Sequence, residues 1–228
     1  MIKKIQTLGM AFMAALAASV PAQAIDKYDI LMAGYFDGPS VSGTFGLANI
    51  FQNVPLGAEI ELGYSWTRKG DPILARKVFI NTDTGGNNDA QSSGGVLDLG
   101  FNGTYPLNQT YGTAKFFAFG GPRYTRWAVR HEYVGGNEDF DVVAHSWGLG
   151  GGVRGVVPLN KDFSAILQLS VDYYFPTSIY GHDATYYPND SNINARDNKA
   201  GYTYTYADAV RATTVPHIRP RVMVGIKF

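Results

Sequence analysis

The chain has no cysteine among its 228 residues. For an exported protein that removes disulfide staples and thiol chemistry together. It has no net charge either: 19 Lys and Arg stand against 19 Asp and Glu. Without a basic excess there is no electrostatic footprint for nucleic acid. It also lacks an apolar run of the roughly 20 residues that a membrane helix takes. The nearest candidate, Leu8 to Val20, is short for a span, follows Lys3 and Lys4, and precedes the small-x-small site Ala22-Gln23-Ala24. Those three features together read as a cleavable secretory signal over residues 1–24, with the mature chain starting at Ile25. Taking Lys3 and Lys4 from the 19 basic residues leaves 17 against 19 acidic, so the mature chain is nearly neutral. What the sequence has in quantity is Gly (27), Tyr (15) and Phe (13), a composition suited to strands and turns more than to helices.

Three short segments resemble one another: Asn53 to Gly57, Thr104 to Asn108 and Val157 to Lys161, with prolines at 55, 106 and 158. Pro fixes φ and Asn or Gly accepts turn geometry, so each reads as a tight turn flanked by strands. The spacing leaves room for one long hairpin per repeat, which suits an up-and-down barrel better than a propeller. Eight strands are expected, over Tyr28–Phe36, Thr44–Asn53, Ala58–Thr67, Val96–Tyr105, Tyr111–Trp127, Val142–Val157, Phe163–Tyr174 and Thr214–Phe228. Their lengths meet the 9–11 residues or so of a tilted membrane strand, and short turns on one side face longer loops on the other. The fold class predicted is all-β, an eight-stranded antiparallel up-and-down transmembrane β-barrel occupying residues 25–228.

The alternation of side chains supplies the two faces. Ala58, Ile60, Leu62, Tyr64 and Trp66 oppose Glu59, Glu61, Gly63, Ser65 and Thr67; Leu97, Leu99 and Phe101 oppose Asp98, Gly100 and Asn102. At the C-terminus Val222, Val224, Ile226 and Phe228 oppose Arg221, Met223, Gly225 and Lys227. An amphipathic strand ending on an aromatic is a liability as a free edge but is at home closing a barrel in lipid. Phe51, Tyr105, Tyr111, Phe163 and Phe228 lie near the short turns, and Trp66, Tyr124, Trp127, Trp147 and Tyr173 near the long loops. Two such girdles are expected at the headgroup levels, with the apolar faces outward.

With this pattern the chain resembles the small eight-stranded outer-membrane barrels, the group of the OmpA transmembrane domain, OmpX and the opacity proteins. The most specific residues are Val222, Val224, Gly225, Ile226 and Phe228. The resemblance implies a location in the cell outer membrane, contact with its lipid and lipopolysaccharide, a monomer, and reading of the closing strand as an assembly signal by the barrel-assembly machinery.

The inward charges should be Glu59, Glu61, Asp98, Lys115, Arg123, Arg154, Asp172, Arg219, Arg221 and Lys227. An eight-stranded barrel is only wide enough for side chains to fill, so these groups must pair. A filled polar plug is the expectation. A narrow gated pore, in which Glu59 or Glu61 exchanges among Lys115, Arg154 and Arg221, is the alternative.

No catalytic residue, cofactor or metal is expected. His131, His145, His182 and His217 read as rim and loop residues, and the adjacent His145 and Ser146 point to opposite faces of a strand. A lipid A-modifying barrel enzyme is therefore the weaker alternative. Asp83, Gly85, Asn87 and Asp89 alternate as in a calcium loop, but Gly94 stands where an acidic ligand belongs. Gly148, Gly150, Gly151 and Gly152 have no following helix to make a phosphate cradle and read as wall residues making room for large neighbours.

Four outer loops are expected: 37–43, 68–95, 130–141 and 175–213. The last carries Tyr180, Tyr186, Tyr187, Tyr202, Tyr204 and Tyr206. Tyr202, Tyr204 and Tyr206 alternate with Thr203 and Thr205, as in a strand raised above the membrane. Tyrosine on rigidly held loops is common recognition chemistry. The expected role is structural and adhesin-like, binding an extracellular ligand through loops two and four.

Overall fold

The computed structural model describes residues 26–36, 38–51, 54–67, 70–80, 90–134, 139–182, 184–189, 204–215 and 217–228. The signal segment, Asp83 to Asp89 and Tyr202 lie outside these. In chain order the elements are β1 (Asp26–Phe36), β2 (Pro39–Ala48), β3 (Gly57–Ser65), α1 (Pro72–Ile80), β4 (Ala90–Tyr111), β5 (Ala114–Tyr133), β6 (Asp139–Pro158), β7 (Ser164–Tyr174), β8 (Ile179–Gly181), β9 (Ala184–Tyr186), α2 (Tyr206–Thr213) and β10 (Ile218–Lys227). β1 to β7 pair successively and antiparallel. β10 pairs with β7 on one side and with β1 on the other, Ile30 opposite Lys227 and Phe36 opposite Arg221. The ring is closed: an all-β, eight-stranded antiparallel barrel, as the alternation predicted.

Alternate residues divide this wall into two environments. Leu31, Phe45, Leu62, Leu97, Leu149, Leu167, Leu169, Val222 and Val224 are outward and exposed, while Glu59, Glu61, Asp98, Arg123, Arg154, Asp172, Arg219 and Arg221 are inward and buried. An apolar exterior around a charged interior is stable against hydrocarbon and unstable against water. Tyr64, Trp66, Trp147 and Tyr173 are exposed at the loop end of the apolar band, and Phe51, Tyr105, Tyr111, Phe163 and Phe228 at the turn end. Trp127 is a correction to the girdle: it is wholly buried, because it shares parity with Arg123 and Thr125 on the inner face of β5.

Several boundaries also depart from expectation. β2 starts at Pro39, immediately after a two-residue connection ending in Gly38, whose φ is 151°. Thr104 to Asn108 is not a turn. β4 runs through it with a register shift between Leu107 and Thr110, and the reversal falls at Gly112, φ 58°. Pro106 is tolerated there because the ladder is already irregular. The Val157 to Lys161 turn is as expected, with Asn160 Oδ1 accepting from the amides of Asp162 and Phe163 at 2.8 and 2.9 Å.

The largest departure lies above the apolar band. β4, β5 and β6 continue well past the ends of β3 and β7, and the short hairpin β8–β9 joins the upper edge of β6. α1 and α2 pack beneath this raised wall. Asp71 starts α1 by accepting from Ile73 and Leu74, with Pro72 at its first position, where a missing N–H costs nothing. Of the expected Tyr202–Tyr206 strand extension, Tyr202 and Thr203 lie outside the described residues, Tyr204 and Thr205 are in no strand, and Tyr206 opens α2. Thr205 and Asp208 form a reciprocal capping box and Thr214 ends the helix in the left-handed region. Ala75, Val78, Phe79 and Ile80 of α1, Ala209 and Ala212 of α2, Ile179, Ala184 and Tyr186 of the hairpin, and Val96, Trp127, Val129, Phe140, Val142 and Ala144 of the wall form one apolar core. That core sits over the barrel mouth.

Candidate functional site: a charged lumen under an apolar cap

The barrel interior is layered. At the turn end, Arg154 is bidentate to Glu59, Nη1 to Oε1 at 2.5 Å and Nη2 to Oε2 at 3.1 Å. Arg154 also donates twice to Gln168 Oε1 and lies 5.1 Å from the Phe119 ring centroid. Tyr28 donates to the same Glu59 Oε1 at 2.7 Å, and Lys227 Nζ stands 3.9 Å from the Tyr28 ring centroid. In the middle, Arg221 bridges two carboxylates, Glu61 and Asp172, the second at 3.2 Å, while Arg123 Nε holds the other Asp172 oxygen at 3.2 Å. Toward the loops, Tyr174 donates to Asp98 at 2.9 Å and the Arg219 guanidinium lies 5.0 Å from the Tyr174 ring. Opposite charges thus meet across the ring with fork geometry, which is what makes burial of this many ions tolerable.

Nine of the ten inward candidates join these layers or line their floor. Lys115 has the right parity on β5 but is exposed near the turn end. Sequence reasoning missed the neutral partners Tyr28, Gln168, Phe119 and Tyr174, although their parity on β1, β7 and β5 was readable. The glycine-rich stretch of β6 now has a reason. A Cβ at Gly150 would overlap the Asp172 carboxylate and crowd Arg123 Nε, and one at Gly152 would run into β7 at Leu169 and Ser170. Below the Glu59–Arg154 pair lies a cavity of about 70 Å³ bounded by Tyr28, Pro55, Pro106, Phe117 and Lys227.

Of the loop tyrosines, Tyr180 and Tyr187 are about half exposed. Tyr186 is a correction: it is buried in the cap, its hydroxyl donating to the Val78 carbonyl at 2.6 Å. Tyr204 and Tyr206 pack against the cap core, and Tyr206 donates to the Thr177 carbonyl at 3.0 Å. Burial raises the Tyr206 hydroxyl pKa above its ordinary value.

His131 is a second correction. It is not a rim residue but wholly buried in the raised wall, 5.5 Å from the Phe140 ring centroid. Its Nδ1 lies 2.9 Å from Ser92 Oγ. A serine beside a histidine is the start of an activated nucleophile. Here burial pushes the imidazole pKa down to about 4, and Nε2 has no orienting partner among the described residues. A base that weak and that unoriented is poorly suited to take the serine proton near neutrality, so the pair reads as an internal anchor of the wall. Among the described residues no group of three or more His, Cys, Asp or Glu could hold a metal ion.

No family model matches the chain, and no curated protein matches it. Among solved structures, it is similar to a major outer membrane protein from Thermus thermophilus, with a TM-score of 0.68 and 19% identity over 90% of this chain and 99% of the other. Neisserial surface protein A aligns over 89% of this chain and 94% of its own, with a TM-score of 0.39 and 8% identity. The first likeness is one of fold: the architecture built here from alternation and pairing is that of an outer-membrane β-barrel.

Proposed function

We propose that this outer-membrane-type barrel resides in the cell outer membrane as a closed structural scaffold whose capped outer end binds a ligand at the cell surface. The observation that carries the reading is the cap. The described parts of loops two and four form α1, α2 and β8–β9 around one apolar core, and Tyr180 and Tyr187 are half exposed beside it. Rigid aromatic side chains bind at small entropic cost. The layered ion pairs beneath support a filled lumen over a conducting one. Secretion by the N-terminal signal and recognition of Val222, Val224, Gly225, Ile226 and Phe228 by the barrel-assembly machinery belong to the same reading.

The test pairs two measurements on the full chain. Cells expressing it should adhere to glass, polystyrene or a serum-protein-coated surface more than cells without it. The Tyr180→Ser/Tyr187→Ser variant should lose most of that gain while keeping the heat-dependent gel shift of a folded barrel. Purified protein in planar bilayers should give no single-channel events. Equal adhesion by both forms refutes the surface role. A narrow gated pore is the second reading, favoured by the cavity beneath Glu59 and Arg154; reproducible channel events that change in Arg221→Gln would establish it instead.

A further inference from the structure

The floor of the lumen holds a cation without a counter-ion. The Lys227 ammonium stands 3.9 Å from the Tyr28 ring centroid and makes no ion pair among the described residues. Its charged side-chain neighbours are Arg154, Glu59, Asp26 and Lys115. Glu59 is already committed: Arg154 takes both of its oxygens and Tyr28 donates to one of them. Asp26 is exposed at the rim, where its carboxylate accepts from Asn49 Nδ2 at 3.0 Å. Lys227, Arg154 and Lys115 against Glu59 and Asp26 leave this group of side chains one positive charge in excess.

That excess faces the cavity of about 70 Å³ below the Glu59–Arg154 pair. A water-sized sphere takes roughly 15 Å³, so the space admits about five of them. Beside Lys227 the lining includes the Thr104 hydroxyl, while Ile30, Phe117, Val156 and Ile166 make much of it apolar. Pro55 on its edge is exposed at the turn end. Two glycines let the polar groups sit where they do. A Cβ at Gly46 would run into the Tyr28 ring, and one at Gly57 into Thr104 Oγ1. A cation set among apolar walls suits a small molecule with an anionic head and an apolar body.

We propose that this cavity binds a short monocarboxylate, its head on Lys227 and Thr104 and its alkyl chain against Phe117, Val156 and Ile166. An ammonium meeting a carboxylate makes a charge-assisted hydrogen bond. One negative charge cancels the excess, whereas a phosphate dianion overshoots it and leaves charge uncompensated in a small cavity. A halide matches the charge but covers little of the apolar wall. The site lies at the opposite end of the barrel from the cap and does not depend on the surface role. It is also distinct from a pore: conduction requires the Glu59–Arg154 pair to part, and this pocket requires the pair intact, because Arg154 quenches the carboxylate that would repel the ligand.

The test uses the refolded full chain in detergent at neutral pH, with saturation-transfer NMR of propionate titrations blanked against empty micelles. Wild type should bind propionate saturably and formate about tenfold more weakly, for the carbons it lacks against the apolar wall. Propionamide, of the same shape without the charge, and inorganic phosphate should each bind about tenfold more weakly than propionate. Lys227→Met should lose propionate binding while keeping the heat-dependent gel shift of a folded barrel. Asp26→Asn removes the rival carboxylate at the exposed rim and should tighten binding. Propionamide, phosphate or formate binding as tightly as propionate overturns the proposal, as does a Lys227→Met variant that binds as wild type does. If Lys227→Met does not refold, Asp26→Asn decides: an unchanged affinity for propionate overturns the proposal.

Discussion

Removing one partner of the Glu59–Arg154 pair should cost far more than removing both. The two side chains are at most 4% exposed and share two hydrogen bonds. Two unit charges about 4 Å apart at an effective dielectric near 20 attract by about 4 kcal/mol. Arg154→Met leaves Glu59 with the Tyr28 hydroxyl as a hydrogen-bond donor and the Lys227 ammonium nearby. Those two groups and the small cavity offset part of the loss, so the barrel should lose about 3 kcal/mol. Glu59→Leu strands the Arg154 guanidinium between Gln168 and the Phe119 ring and should cost a similar amount. The Glu59→Leu/Arg154→Met double variant replaces both ions by apolar groups and should fall within about 1 kcal/mol of wild type. The double-mutant cycle should therefore show a coupling of several kcal/mol, the failure to add that is expected of neighbours. Urea unfolding in phospholipid vesicles, followed by fluorescence of Trp66 and Trp147 on the outer wall, reads each term. Single variants that lose less than about 1 kcal/mol and simply add would refute the reasoning and point to a hydrated, weakly coupled lumen.

Two further outcomes follow from the same geometry. His131 is neutral in the folded wall, its pKa lowered by burial from 6.5 to about 4. Above pH 6.5 the wall and the unfolded chain are both neutral and nothing is lost. As pH falls from 6.5 to 4 only the unfolded chain gains the proton, and the cap should lose roughly 3 kcal/mol, at about 1.4 kcal/mol per tenfold change in proton affinity. Amide exchange in upper β5 should accelerate across that window in wild type and stay flat in His131→Asn. Gly150→Ala forces a methyl group against Asp172 and Arg123 and should cost about 2 kcal/mol of barrel stability in the same urea assay, while Gly103→Ala, which meets almost nothing, should be near neutral.

The barrel was legible because a period of two is a local property that each strand declares by itself. Glu59, Glu61, Asp98 and Asp172 could be put on one face by parity, and the aromatic girdles at the ends of the opposite face put that face inside. Who pairs with whom could not be read that way: whether Glu59 faces Arg154 or Arg221 depends on strand stagger around the closed ring, which no single strand encodes. The cap misled in a different manner. Tyr202 to Tyr206 alternate as a strand does, but Thr205 and Asp208 stand at capping-box spacing, and from Thr205 onward the described chain follows the cap into a helix. That signal was present in the sequence and was outweighed by five residues of alternation. Trp127 and His131 were misplaced for different reasons. Trp127 was grouped with Tyr124, three positions away and so of opposite parity, while the fifth strand was ended at Trp127 although β5 continues through His131 to Tyr133.

The raised wall also makes one residue a reporter of the finished molecule. Trp127 belongs to a barrel strand, yet the cluster that buries it draws on α1, α2 and the β8–β9 hairpin, segments separated by more than half the chain. Complete burial of this one indole therefore needs the outer end packed as well as the strands paired, and it distinguishes a barrel that has merely closed from one whose outer end is in place.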